Sequence, residues 1–106
     1  MAKYLIQAGY TAEGAKGLLK EGGSGRRRAV DDVVAGLGGS VESMYFCYGE
    51  DDVVIIIDFP DTVTMAAVSM MVKASGALVT RATPLLTVDE IDEATRKQVA
   101  FRPPRT

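Results

Sequence analysis

The sequence predicts an α+β fold with strands and helices in the order βαββαβ. Three observations carry it: short alternating segments near positions 3–10, 41–48 and 77–83, a strand-length segment Val53–Phe59 rich in β-branched residues, and two apolar helical patterns between them. The chain has 106 residues, 47% hydrophobic and 25% charged, which suits one domain with one core and excludes disordered, collagen-like and repeat compositions. Residues 1–100 are expected to form that domain and residues 101–106 an extended tail.

In the first strand Tyr4, Ile6, Ala8 and Tyr10 alternate with Lys3, Leu5, Gln7 and Gly9, giving two unequal faces. Thr11 is a candidate N-cap for Ala12–Lys20. Gly22-Gly23 interrupts that helix before Ser24 opens a second piece, with a stripe of Ala29, Val30, Val33, Val34 and Leu37 and a stop at Gly38-Gly39. The second strand is expected over Val41–Tyr48, with Val41, Ser43, Tyr45 and Cys47 on one face and Glu42, Met44, Phe46 and Tyr48 on the other. Gly49-Glu50-Asp51-Asp52 turns the chain into Val53–Phe59, completing a central hairpin.

Pro60 ends the third strand and Asp61 or Thr62 caps the next helix, in which Val63, Ala66, Ala67, Met70, Met71 and Ala74 form the predicted core stripe. The methionines Met65, Met70 and Met71 read as core filling rather than as a plastic binding surface. Gly76 stops the helix, Ala77–Thr83 is the fourth strand, and Pro84-Leu85-Leu86 leaves the sheet. Thr87-Val88-Asp89-Glu90 is a capping box for a final helix reaching about Val99, before the proline-rich tail Arg102–Thr106.

This order is the ferredoxin-like plan, a four-stranded antiparallel sheet with both main helices on one face and here an extra C-terminal helix. Its other face is open. Five successive aliphatic residues at Val53–Ile57 give the third strand two apolar faces, so the open one requires a cover, and a second copy of the same sheet is the economical choice. About 700 Å² covered per subunit would contribute on the order of 10 kcal/mol before association costs. Self-association, as a homodimer or a larger homo-oligomer, is therefore expected.

Composition narrows the chemistry. A net charge of -2 and a pI near 5.0 disfavour nucleic-acid binding, and the aliphatic central strand has no aromatics on which RNA bases could stack. The chain contains no histidine and one cysteine, Cys47, which excludes an intrachain disulfide and argues against zinc, haem or copper; no metal and no cofactor are expected. The lone thiol fits a reducing cytoplasm. Neither a signal peptide nor a membrane-spanning run is read at the N-terminus or beyond it, so no membrane partner is expected.

Four segments together, Tyr4-Leu5-Ile6-Gln7, Leu19–Ser24, Tyr48–Val53 and Thr83–Thr87, resemble the GYD-domain family over nearly the whole chain. The resemblance implies a small bacterial or archaeal protein of the dimeric α/β-barrel type. The family signature falls at Gly49-Glu50-Asp51-Asp52, with Asp51 where a tyrosine is expected. No catalytic residues carry over from it.

Several groups remain as candidate sites. Tyr10, Tyr48, Asp58 and Arg81 are the candidate ligand-binding residues, a reading that requires them to converge on one cavity; core aromatics and a structural Asp58–Arg81 ion pair are the alternative. Ser24 and Arg27, beside a glycine-rich helix start, form a possible anion contact, against which Arg26–Arg28 reads as a solvated helix face. Glu50–Asp52 is a solvated acidic turn or a weak hard-cation site. The functional expectation is a self-associating protein that binds or converts a small organic molecule without a metal. The alternative is a non-catalytic regulatory or structural oligomerisation module, for no nucleophile with an adjacent base can be named.

Overall fold

The computed structural model describes residues 2–105, so Met1 and Thr106 of the predicted tail lie outside the described residues. Strands β1 (Ala2–Tyr10), β2 (Ser40–Phe46), β3 (Val53–Phe59) and β4 (Leu78–Leu85) and helices α1 (Ala12–Gly36), α2 (Thr62–Ser75) and α3 (Val88–Thr95) follow one another in the order β1-α1-β2-β3-α2-β4-α3. The strands form one sheet of order β2-β3-β1-β4 with every neighbouring pair antiparallel. This α+β architecture, with its four-stranded antiparallel sheet and three helices, is consistent with the predicted plan.

The core lies on one face of the sheet. Tyr4, Ile6 and Ala8 of β1 stand directly opposite Ile57, Ile55 and Val53 of β3, and Val34 of α1 and Met65 of α2 close over them. Alternation then forces Leu5, Gln7, Val54, Ile56 and Asp58 onto the other face, where all are partly exposed.

The sequence places β3 to the residue, and α1 is in two pieces, as expected. The break falls at Gly22, within the predicted Gly22-Gly23 interruption, and its φ of 76° is in the left-handed region open to glycine. Thr11 caps the first piece, its hydroxyl accepting from the Gly14 N–H, and Asp61 caps α2 by accepting from the Thr64 N–H.

Other expectations require correction. In β2 the register shifts between Val41 and Ser43, so Glu42 is an extra residue; Val41, Met44 and Phe46 pair on the core face, while Ser43 and Tyr45 point the other way. Strict alternation failed at this bulge. In α2 the core side is Met65, Val68 and Val72, whereas the predicted stripe points outward, with Val63 76%, Met70 67% and Met71 72% exposed. The helix is apolar around most of its circumference, so periodicity alone could not choose the face that docks. Only Met65 of its methionines is core filling.

Pro84 and Leu85 remain in β4, because β4 is an edge strand and a missing N–H is tolerated there. The capping box of α3 is present at Thr87 and Glu90, but the helix ends at Thr95 rather than near Val99. Every residue from Leu86 to Arg105 is exposed, and the chain's radius of gyration is 16.9 Å, well above the ~13 Å of a compact body of this length. The C-terminal segment is thus an arm beside the body.

The start of α1 docks tightly on the turn between α2 and β4. The Thr11 hydroxyl donates to the Gly76 carbonyl (2.7 Å), its N–H donates to the Ala77 carbonyl (3.0 Å), and a Cβ on Gly14 would collide with that same carbonyl. Gly14→Ala is therefore expected to destabilise the fold by about 1–3 kcal/mol. Gly17→Ala, on the same helix with open space around it, should stabilise it by about 0.5–1 kcal/mol. Urea unfolding of both variants checks the pair, and equal effects would refute the close approach.

The caps also set a pH dependence. Hydrogen bonds from the Thr64 N–H and hydroxyl hold the Asp61 carboxyl below its usual range, and the Thr87 N–H does the same for Glu90. A depressed folded pKa stabilises the fold above the unfolded value, and that contribution is lost as pH falls through the folded one. Carbon-13 NMR titration of the two carboxyls should give midpoints below those of free carboxylates; ordinary midpoints would mean that the caps do not form.

Candidate functional site

A cavity of about 180 Å³ lies between the helices and the core face of the sheet. Its walls are almost wholly apolar: Ile6 and Ile55 form part of the floor, Val30 and Val33 come from α1, and Met65 and Val72 from α2. The hydrogen-bonding side chains on it are Tyr10, Arg26, Ser69 and Thr80.

Arg26 is the unusual member. It precedes Val30 and Val33 by four and seven residues, which puts it on the cavity-facing stripe of α1 one turn ahead of the apolar residues. Its side chain is 27% exposed, and its Nη1 approaches Glu21 Oε2 at 3.7 Å, too far for a hydrogen bond. Its Nε is buried without any partner, an arrangement that costs about 1–3 kcal/mol for a group of this kind.

The sequence missed this residue as a site. Three consecutive helical residues fan around the axis, and of Arg26–Arg28 only Arg26 turns toward the cavity while Arg27 and Arg28 are exposed. Arg27 instead makes two contacts of 3.0 and 3.1 Å to Asp31, an ordinary i,i+4 pair, and Ser24 lies exposed in the first turn after the Gly22 break. Arg27 is thus paired within its own helix rather than held beside Ser24 for an anion.

The four candidate ligand residues do not share one cavity. Tyr10 lines this one and also a more open cleft of about 430 Å³ beside Leu18, Phe46 and Asp52. Tyr48 is 98% exposed in the hairpin loop. Asp58 and Arg81 lie on the open sheet face at opposite ends of β1, opposite Lys3 and Gln7 respectively, and are not partners. Asp58 Oδ2 lies 3.6 Å from Lys3 Nζ, which also donates to Glu42 Oε2 (2.7 Å). The Glu42 hydrogen bond, with the nearby Asp58 charge, raises the Lys3 pKa despite some desolvation.

The acidic hairpin is largely occupied by its own chain. Asp51 Oδ2 accepts from Arg81 Nη2 (2.7 Å), and Asp52 Oδ2 accepts from the Tyr10 N–H (2.8 Å). The Asp52 N–H donates to the Ala8 carbonyl and its carbonyl accepts from the Cys47 N–H, both at 2.8 Å. Asp52 therefore fixes the hairpin loop against the end of β1, next to the tyrosine that lines both cavities. No group of three or more metal-ligating side chains assembles among the described residues, and none of their helices is long and apolar enough to cross a membrane.

With this geometry in place, comparison with known proteins finds one family model: the GYD domain, matched over residues 4–95. That span includes all of the sheet but Ala2 and Lys3 of β1, together with the cavity and α3. No curated protein and no solved structure matches the chain significantly.

Asp52→Ala leaves the part-buried Tyr10 N–H without its acceptor and should cost about 1–3 kcal/mol. Asp51→Ala breaks only a pair whose arginine is exposed, and should stay within about 1 kcal/mol of wild type. Thermal unfolding of the two variants side by side tests this ranking, and the reverse order would refute it.

Proposed function

The chain belongs to the GYD-domain family, and on that premise we propose that it works as a homo-oligomer, at least a dimer of the α/β-barrel type, binding a small organic molecule without a metal. The observation that carries the reading is the contrast between the two faces of the sheet. One face is closed by α1 and α2; the other presents Leu5, Val54, Ile56, Tyr45 and Val79 with no helix of the described residues over them. A two-fold stack of two such faces would bury about 700 Å² per subunit, close to the ~800 Å² per partner of stable interfaces. Charges on this face are already compensated within the chain, Lys3 by Glu42 and Asp58 and Arg81 by Asp51, which lowers the cost of covering them. The ligand's place is the helix-side cavity, which the side chains leave unfilled.

One observation favours the second reading, a non-catalytic assembly module. The outward side of α2, with Val63, Met70 and Met71, offers another apolar surface beyond the sheet, and its use would give assemblies larger than two.

Light scattering from the micromolar to the submicromolar range tests both readings. A stable dimer supports the sheet stack, a larger stable species supports the module, and a monomer throughout overturns self-association. Ile56→Lys, placing a charge at the centre of the open face, should shift the species to monomer without unfolding it. An unchanged mass would remove the sheet from the interface.

A further inference from the structure

We propose that the helix-side cavity is a site for a small monocarboxylate with an apolar body, its carboxylate held by Arg26 at the rim. The inference rests on the small-molecule reading above and names the ligand's chemical class. An apolar void of about 150 Å³ is enough to hold benzene, so the roughly 180 Å³ here accommodates a single ring or a short branched chain with a small polar head. The walls reject a ligand that is polar throughout, because hydroxyls set against Ile6, Ile55, Val30 and Met65 would lose their water without replacement.

The head group follows from Arg26. Its guanidinium is cationic, its Nε is buried and unpartnered, and Glu21, the nearest anion to it, stands beyond hydrogen-bond reach. A neutral ligand would leave that charge without a close partner. A carboxylate offers two acceptor oxygens in the plane of the guanidinium fork and pairs with its exposed part through charge-assisted bonds. The partial exposure of Arg26 puts the charged end of the ligand at the rim, where it retains contact with water, while the apolar body points inward. Ser69 and Thr80, on facing elements of the same cavity, are the hydroxyls available for a second polar contact.

Benzoate and benzyl alcohol, nearly equal in shape and different in charge, are the probes, titrated into the full chain by calorimetry with ligand-observed NMR as the second readout. Benzoate is expected to bind at least about tenfold more tightly than the alcohol, given the usual strength of hydrogen bonds to charged groups. Arg26→Gln should bring the two together, and Arg26→Lys should restore only part of the preference. The wild-type comparison stands even where a variant fails to fold. Equal binding of the two probes overturns the carboxylate assignment and leaves the small-molecule reading intact. A benzoate preference that persists in folded Arg26→Gln overturns the role of Arg26. No binding of either probe at millimolar concentration overturns both the assignment and the cavity as a ligand site.

Discussion

The β1–β3 ladder is the constraint on which the rest depends. Tyr4 against Ile57, Ile6 against Ile55 and Ala8 against Val53 commit the two central strands to one register, with one face toward the helices. A slip of one residue would turn the slipped strand's core residues inside out, so the register is fixed by burial. The same commitment sends Leu5, Val54 and Ile56 to the far side. The cavity floor and the uncovered face are two sides of one pairing, and neither can be altered alone.

What was legible follows from this. Strands with β-branched runs or strict alternation could be read directly, and so could caps whose chemistry is local, such as Thr11, Asp61 and the Thr87–Glu90 box. Two helical stripes competed on α2, and the choice of Met65, Val68 and Val72 over Val63, Met70 and Met71 belongs to the tertiary fit of the helix on the sheet. The Glu42 bulge is likewise a pairing event between two strands, without a mark in the local sequence. Pro84 signals the end of a strand by its usual local effect, which an edge strand does not impose.

The candidate site was less legible than the fold, because its polar members have to be sorted by partners distant in sequence. Asp51 and Arg81 stand 30 residues apart and Tyr10 and Asp52 stand 42 apart, and each pairing removes a carboxylate from the pool of free ligands. Arg26 emerges by the opposite route, as the member of an arginine run whose neighbour Arg27 finds Asp31 while its own Nε finds nothing. A charged residue four positions before a valine on the buried stripe was the available signal; composition had hidden it inside a basic cluster.

The arm that carries α3 has a different thermodynamic character from the body. An eight-residue helix lies well below the length, about 12–15 residues, at which isolated helices become even marginal in water, and this one buries none of its residues. Its capping box satisfies end groups without supplying a packing term. The helix–coil equilibrium of α3 is therefore decoupled from global unfolding: the sheet and its two long helices can be fully native while the arm's amides exchange with solvent on their own, much faster, schedule.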